Sequence, residues 1–504
     1  MTVRSHQRRD INAIHQKPWA QLTNPYTPLK LISDDEVEAI HLASLHILET
    51  VGVKCLVAEA QNLLAKAGAI VDPSTGLIKL GREMVEQALT SVAPKLELTP
   101  RNPARAVKVH GNFLATAAVY GPPTCTDLLR GRRSGTMNDF CELLKLTQFF
   151  NAVQINGWPV EPLDIEVPIR HLHAARAMLT LTDKVPVLFS QSPQRIRDVI
   201  AMCAIARAET VEEFAKRPGV YSIINTNTPL VFDIPMTTGI MEMAKHGQPT
   251  LLTPFIIAGA STPATMASAI ALNNAEILFG LVLAQLTKKG APMIYGSAVT
   301  SADMRTGAPA YGFADMQRGT IISGQMARRY NMPLRASSFS SSNVADFASG
   351  MESANAVFAG MVAGNNFLMH STGWLEGGLC CGYEKFVLDC ELVQSMMHML
   401  EPVAVNADTL ALGEIAETGP GGHFFGSART LETVETAFYR PMISITQNYG
   451  SWKEAGAKDA SQRALPIWQN ALRAYEPPPL DPAINEALDA FVAERTAEGG
   501  APIL

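Results

Sequence analysis

Tyr221-Ser222-Ile223-Ile224-Asn225-Thr226-Asn227-Thr228 is an apolar run that closes on polar residues, and it is one of eight such runs in the middle of the chain. The others span 113–120, 152–158, 185–191, 250–259, 292–297, 333–339 and 365–374. Their spacing is roughly 30–40 residues, what one strand, one helix and two loops require. Parallel strands covered on both faces read as continuous apolar runs, and most of these do. The pattern predicts an α/β protein whose centre is a (β/α)8 TIM barrel. Such a barrel carries its chemistry at the C-terminal ends of the strands, so the fold also points to the site.

Working outward, the barrel is expected over 111–400. Its helices are read at 136–149, 193–208, 236–246, 262–287, 312–330, 347–363 and 384–400, with Gly or Pro at most junctions. Residues 1–110 are expected to form a polar, basic arm and a helical domain. Ser33-Asp34-Asp35-Glu36 offers an N-cap with acids in the first turn, and Val37, Ile40, Leu45 and Leu48 build an apolar face behind it. Residues 71–78 read as a hairpin or turn between helices. After Glu401 the pattern changes to a Gly-rich turn at 418–424 and a helical extension through 504, broken by Pro477-Pro478-Pro479.

Of the 504 residues, 47% are hydrophobic and 17% charged; the net charge is −6 with both signs interspersed, and the mean hydropathy is +0.08. Nothing here suggests a nucleic-acid surface or a polybasic membrane patch. The weakly charged stretch 247–275 is broken by prolines and asparagines, so it reads as a buried strand and helix rather than a membrane span. Seven scattered cysteines and no apolar leader fit a reducing cytoplasm. The rich apolar composition leans towards a homo-oligomer.

Stock catalytic motifs are absent: there is no G-x-G-x-x-G after a strand, no P-loop, no H-E-x-x-H, no G-x-S-x-G and no D-x-H-x-x-G. Cys380, Cys381 and Cys390 fit no common zinc spacing, and no metal site is expected. The strand ends instead collect Tyr120, Trp158, Phe189, Asn225, Asn227, Phe255, Tyr295, Phe339, His370, Trp374 and Glu376. Few of these ionise and many are aromatic. A ring of aromatic faces suits a permanent cation, at about 0.5–2 kcal/mol per face; barrel-top packing is the plainer role for any one of them.

The stretch 334–346, Leu-Arg-Ala-Ser-Ser-Phe-Ser-Ser-Ser-Asn-Val-Ala-Asp, resembles the strand-7 segment of the trimethylamine:corrinoid methyltransferases. Tyr295-Gly296-Ser297, the loop 303–307, 373–378, 419–424, 438–441 and Trp452 are similar to the same superfamily, so the resemblance runs from about residue 30 to 475. Where the trimethylamine enzyme carries pyrrolysine, this chain has Phe339, which cannot supply that residue's electrophilic ring. The resemblance therefore implies a non-pyrrolysine member, a group that includes glycine betaine methyltransferases.

It implies methyl transfer from a quaternary amine to the Co(I) of a corrinoid (cobalamin) carried by a separate protein that docks over the barrel mouth, with no cofactor bound by this chain alone. A quaternary nitrogen leaves as a neutral amine, so the protein's work is orientation and exclusion of water. Phe339 and Glu376 are expected to act on the reacting group. Tyr120, Tyr295, Phe339 and Trp374 would hold the cation, His370 a substrate carboxylate and Asn225 a polar tail. Glu376 has the alternative of holding neighbouring loops, and Arg305 that of organising its own. The rival readings are a zinc-dependent thiol methyltransferase using Cys380, Cys381 and His370, a non-catalytic betaine-binding barrel, and a barrel lyase or aldolase, for which no strand ends in the lysine required.

Overall fold

The computed structural model describes residues 14–93 and 95–503, so most of the expected basic arm lies outside the described residues. Seven of the eight apolar runs form strands: β1 (Phe113–Thr116), β2 (Val187–Phe189), β3 (Tyr221–Ile224), β4 (Thr250–Leu252), β5 (Met293–Gly296), β6 (Leu334–Ser337) and β7 (Phe367–Met369). They lie side by side in the order β1-β7-β6-β5-β4-β3-β2, all parallel, with Leu22–Thr23 added antiparallel to β1. The eighth run makes single parallel bridges, from Ile155 to Ala117 on one side and to Val185 on the other, and from Trp158 to Tyr120. The architecture is a mixed α/β fold around a curled half-barrel sheet.

The helices that follow are α1 (Met137–Phe149), α2 (Val167–Leu181), α3 (Pro193–Ala206), α4 (Ile234–Lys245), α5 (Met266–Thr287), α6 (Ala314–Arg329), α7 (Phe347–Val362) and α8 (Tyr383–Met399). All but α2 were expected. Its sequence places charges inside the apolar face, because buried His171 lies 2.9 Å from Asp198 of α3, and that pairing hides the helical period.

Strand residues alternate between two cores. Ile223, Leu251 and Ile294 join an inner cluster with Phe367 and Met369, whereas their neighbours Ile224, Leu252 and Tyr295 pack outward against the helices. In α5 every residue from Ala269 to Gln285 is buried. This helix is long and apolar enough to cross a membrane by length and composition, yet it serves as a core helix. Asp34–His46 and Arg82–Leu89 lie along it.

The N-terminal region is not the helical domain expected. Helices Asp34–His46, Ala58–Lys66 and Arg82–Leu89 alternate with strands Val53–Cys55, Ile70–Asp72 and Leu77–Lys79, and Val231–Phe232 from the loop after β3 completes their sheet. Strands of three residues are too short to show a period of two. The hairpin at 71–78 is present, and Ser33 forms a full capping box with Glu36. At the other end, α9 (Ala460–Arg473) packs on α8, and α10 (Pro482–Ala497) on α2 and α3. Between α8 and α9, residues 401–450 bury only Ile443.

Candidate active site

The end of β6 organises the site. Its outward residues Leu334 and Ala336 pack under the helices, so alternation turns Arg335, Ser337 and Phe339 inward. Arg335 is only 2% exposed. One Nη donates to the Ser297 carbonyl at 3.3 Å, the other lies 3.1 Å from His370 Nε2, and Nε has no partner. Among the described residues no carboxylate pairs with it. Burial, only partly offset by Tyr221, pushes its guanidinium well below the ordinary arginine value, to about 9.

His370, just past β7, adopts φ 55°, in the left-handed region that non-glycine residues seldom occupy. Its Nδ1 accepts from the Tyr120 backbone N–H at 3.2 Å while Nε2 faces Arg335. With Nδ1 accepting, the single N–H of a neutral ring sits on Nε2, which therefore does not accept from Arg335. Burial first, then the Arg335 charge, holds its pKa well below the ordinary value. The imidazole is neutral, and the positive charge of the site belongs to Arg335.

Rings fill the space above these two residues. Phe339 stacks on His370 at 5.0 Å and 27°, and Trp374 lies 4.6 Å from Phe339 and 4.1 Å from His370. Tyr311 and Phe255 extend the group, at 5.0 and 6.2 Å from Phe339. Trp374 is fixed by Nε1, which donates to the Ser340 carbonyl at 3.1 Å. Tyr120 belongs to a neighbouring group, 4.5 Å from Phe189, which in turn lies 4.7 Å from Trp158. Asn225 is half-buried and follows Tyr221 and Ile223 on the inner face of β3.

Below the rings the wall is polar and incompletely bonded. On the inward face, the hydroxyls of Thr253 and Ser337 are buried without a hydrogen-bond partner. Glycine at 296 is what admits the Thr253 hydroxyl, since a Cβ there would stand 2.0 Å from it. Buried polar atoms are normally satisfied; these two hydroxyls share the inward face with Arg335, whose Nε also lacks a partner and whose guanidinium lies 5.7 Å over the Phe339 ring.

Two expected site residues stand elsewhere. Tyr295 faces outward: its ring stacks on Tyr330 at 6.2 Å and its hydroxyl donates to Asn274 Oδ1 of α5 at 3.2 Å. One residue of strand parity separates it from Ile294, which does face inward. Glu376 is committed to Arg132, whose Nε and Nη2 both donate to its carboxylate at 2.9 Å. It therefore ties the 376–378 turn to the 130–133 hairpin rather than facing the rings. Arg305 is almost fully exposed, and His423 is exposed.

The loop carrying Phe339 is held by Glu352 of α7. Its carboxylate accepts from Ser340 Oγ at 2.6 Å, Ser341 N at 3.0 Å, Ser342 N at 3.2 Å and Ser342 Oγ at 3.0 Å. Neither Arg335 nor Glu352 was singled out from sequence. The usable signal for Arg335 was an arginine inside an apolar strand, since arginine is rarely buried without a partner.

Cys380 and Cys381 are buried thiols, the first pushed up to about 11 and the second well above the ordinary value, chiefly by burial. That environment opposes the thiolate a zinc site requires. Among the described residues no three His, Cys, Asp or Glu side chains converge as metal ligands.

Residues 2–500 match the family model described as Trimethylamine methyltransferase (MTTB). The glycine betaine methyltransferase of Desulfitobacterium hafniense strain Y51 is 31% identical over 474 residues, covering 93% of this chain and 98% of that protein. The trimethylamine methyltransferase MttB of D. hafniense strain DSM 10664 / DCB-2 is 29% identical over 479 residues, covering 93% and 94%. Among solved structures, the Methanosarcina barkeri monomethylamine methyltransferase (MtmB) aligns over 91% of this chain and 88% of that one, with a TM-score of 0.48 and 11% identity.

Proposed function

We propose that this chain, which belongs to the trimethylamine methyltransferase (MTTB) family, moves a methyl group from a small zwitterionic quaternary amine to the cobalt of a separate corrinoid protein. Glycine betaine or a close analogue is the donor. The observation that carries the substrate class is Arg335, a buried guanidinium with an open Nε and no carboxylate partner. A buried charge left unpaired is costly, and a substrate carboxylate relieves that cost. A cation without a carboxylate, such as tetramethylammonium, would bring a second positive charge and no compensation. The site thus favours betaines over simple ammonium ions.

The arrangement divides the substrate between two walls. Arg335 and the free hydroxyls of Thr253 and Ser337 hold the carboxylate. Faces of Phe339, Trp374 and Tyr120 hold the trimethylammonium group, with Asn225 beside them and ring–cation contact replacing part of the ring–ring contact of the free protein. His370 orients Arg335 and the Phe339 ring while staying neutral. The departing amine is neutral, so no proton has to be delivered to it, consistent with a wall of rings and hydroxyls in place of acids. Burial of the rings keeps water away, and the strand ends aim one N-methyl group at the mouth.

A bound corrinoid supplies in its Co(I) state a nucleophile strong enough for saturated carbon. The rim suits a partner presenting it, since Leu128, Leu129, Met304 and Leu379 are exposed there beside Arg130 and Arg132. In this reading the sheet closes into a (β/α)8 barrel over 111–400, with residues 152–158 as its second strand. The bridges of Ile155 to both neighbours support that closure, and seven free cysteines suit a reducing cytoplasm.

The test is to mix the chain with glycine betaine and a Co(I)-corrinoid protein, following the methyl-Co(III) spectrum and the demethylated amine. Methylation with betaines and not with tetramethylammonium is expected. No product from any zwitterionic quaternary amine, or equal rates with simple ammonium ions, would remove the assignment.

A further inference from the structure

We infer that Asp389 and Lys385 of α8 form a positioning pair that holds Trp374 against Phe339 and so sets the preference of the site for a quaternary cation. The inference rests on the methyl-donor reading above and concerns the residues behind the rings. Lys385 is 1% and Asp389 3% exposed. They stand four residues apart on one side of the helix. Lys385 Nζ donates to Asp389 Oδ1 and, at 2.7 Å, to Ser353 Oγ of α7. The other carboxylate oxygen, Asp389 Oδ2, accepts from the backbone N–H of Gly373 at 2.8 Å. Gly373 immediately precedes Trp374, in a turn with little room. Its φ is +83°, and a Cβ there would stand 2.9 Å from Cys381 Sγ. The indole is hemmed in from another side by Gly378, where a Cβ would lie 2.5 Å from Trp374 Cζ2.

These contacts close a circuit. Trp374 Nε1 donates to the Ser340 carbonyl, and Ser340 Oγ donates to Glu352. Glu352 is followed on α7 by Ser353, which accepts from Lys385, and the circuit returns through Asp389 to Gly373. Phe339 stands one residue before Ser340. Both rings are therefore carried on backbone fixed by a buried carboxylate, Glu352 from α7 and Asp389 from α8. Groups linked in such a network act as a unit, so the 4.6 Å separation and 46° tilt of Phe339 and Trp374 are set jointly.

Stability alone is a poor reason for the pair. A buried ion pair recovers in attraction roughly what it loses in desolvation, and an apolar pair of similar volume often does as well or better. What an apolar pair cannot supply is an acceptor where the Gly373 N–H points. A buried N–H left without one is costly, so the turn shifts to find another acceptor and takes Trp374 with it. Cation–π attraction requires the charge over the ring face within about 6 Å of its centre. A displaced indole thus loses the charge of the substrate more than its shape.

The test compares glycine betaine with 3,3-dimethylbutanoate, which keeps the carboxylate and the bulk but has carbon in place of the charged nitrogen. By calorimetric titration the full wild-type chain should prefer glycine betaine by roughly tenfold, the order expected of two ring faces. Lys385→Met/Asp389→Leu should fold, by far-UV circular dichroism, and narrow that preference to about twofold or less, with affinity for the neutral analogue held within about threefold. Lys385→Met/Asp389→Asn, whose amide oxygen accepts from Gly373 N, should restore most of the preference. If the leucine variant does not fold, Ser353→Ala carries the test and should narrow the preference about threefold. A folded leucine variant with the wild-type preference, an asparagine variant no better than the leucine one, or an unchanged preference in Ser353→Ala would overturn the inference and leave the cation site standing. A wild type that binds both ligands equally would remove the cation site itself, and the inference with it.

Discussion

Replacing Arg335 by methionine separates a binding guanidinium from a structural one. In the free protein this group is buried, has no carboxylate partner among the described residues and is held well below the ordinary arginine value, at about 9. At about 1.4 kcal/mol per tenfold change, that displacement corresponds to about 5 kcal/mol against the charged form. Relaxation reduces what folding actually loses, and exchanging a buried charge for an apolar chain of similar volume is worth ~1–4 kcal/mol of added stability. Arg335→Met should therefore raise Tm by a few degrees. The same change removes the partner of the substrate carboxylate, a loss of about 2–5 kcal/mol, which is roughly thirtyfold to several thousandfold in affinity for glycine betaine.

The pH dependence has a definite sign. The folded-state value lies below the unfolded one, so the folded protein binds fewer protons from about pH 9 up to the ordinary arginine range. The destabilisation by Arg335 is complete below that window and relieved as pH rises through it. Betaine affinity needs the charged form, so it should fall above about pH 9 in the wild type, with that dependence lost in Arg335→Met. Thermal denaturation and calorimetric titration of the two proteins measure both effects. A variant that melts lower and binds glycine betaine as tightly as the wild type would refute the reasoning, since Arg335 would then be a structural residue.

Other residues give contrasting outcomes. Phe339→Ala should weaken glycine betaine binding by about twofold to thirtyfold, from loss of one cation–π face worth about 0.5–2 kcal/mol, with equilibrium dialysis as the assay; unchanged affinity would remove the ring from the cation site. Glu376→Gln breaks a rim ion pair with Arg132 and should leave kcat within about twofold, because exposed pairs are worth ~0–1 kcal/mol; a hundredfold loss would restore this carboxylate to the chemistry. Glu352→Gln turns an acceptor of four hydrogen bonds into a mixed donor and acceptor. It should lower kcat more than it raises KM, with Glu352→Asp partly restoring it, whereas Tm alone would move if the residue only supported the fold. Lys184 donates to the carbonyls of Thr147, Phe150 and Val153 at 2.5, 3.0 and 2.5 Å, closing the end of α1. Lys184→Met should lower stability by about 2–4 kcal/mol, read by denaturant melting, with turnover of the folded fraction unchanged.

How much of this was legible in the sequence follows from the physics of each signal. Apolar runs bounded by Gly and Pro located seven strands, since continuous burial writes itself into composition. Helix α2 was hidden by a buried His171–Asp198 pair that interrupts its apolar face, and the N-terminal strands were too short to show a period. Phe339, His370 and Trp374 were singled out because strand ends are visible in sequence, and the structure brings these three rings together. Tyr295 went to the wrong face because a single residue of parity decides it. Glu376 found a partner 244 residues away, in Arg132, a pairing no local pattern records. Arg335 was quoted for the family it resembles and given no role, since what makes it unusual is the absence of a carboxylate in three dimensions.

The most direct measurement is a crystal structure of the chain soaked with glycine betaine. The carboxylate should lie within hydrogen-bonding distance of Arg335 Nε, with the trimethylammonium group against the Phe339 and Trp374 rings and an N-methyl group turned to the mouth. A carboxylate bound elsewhere, or an ammonium group seated beside Arg335, would contradict the account.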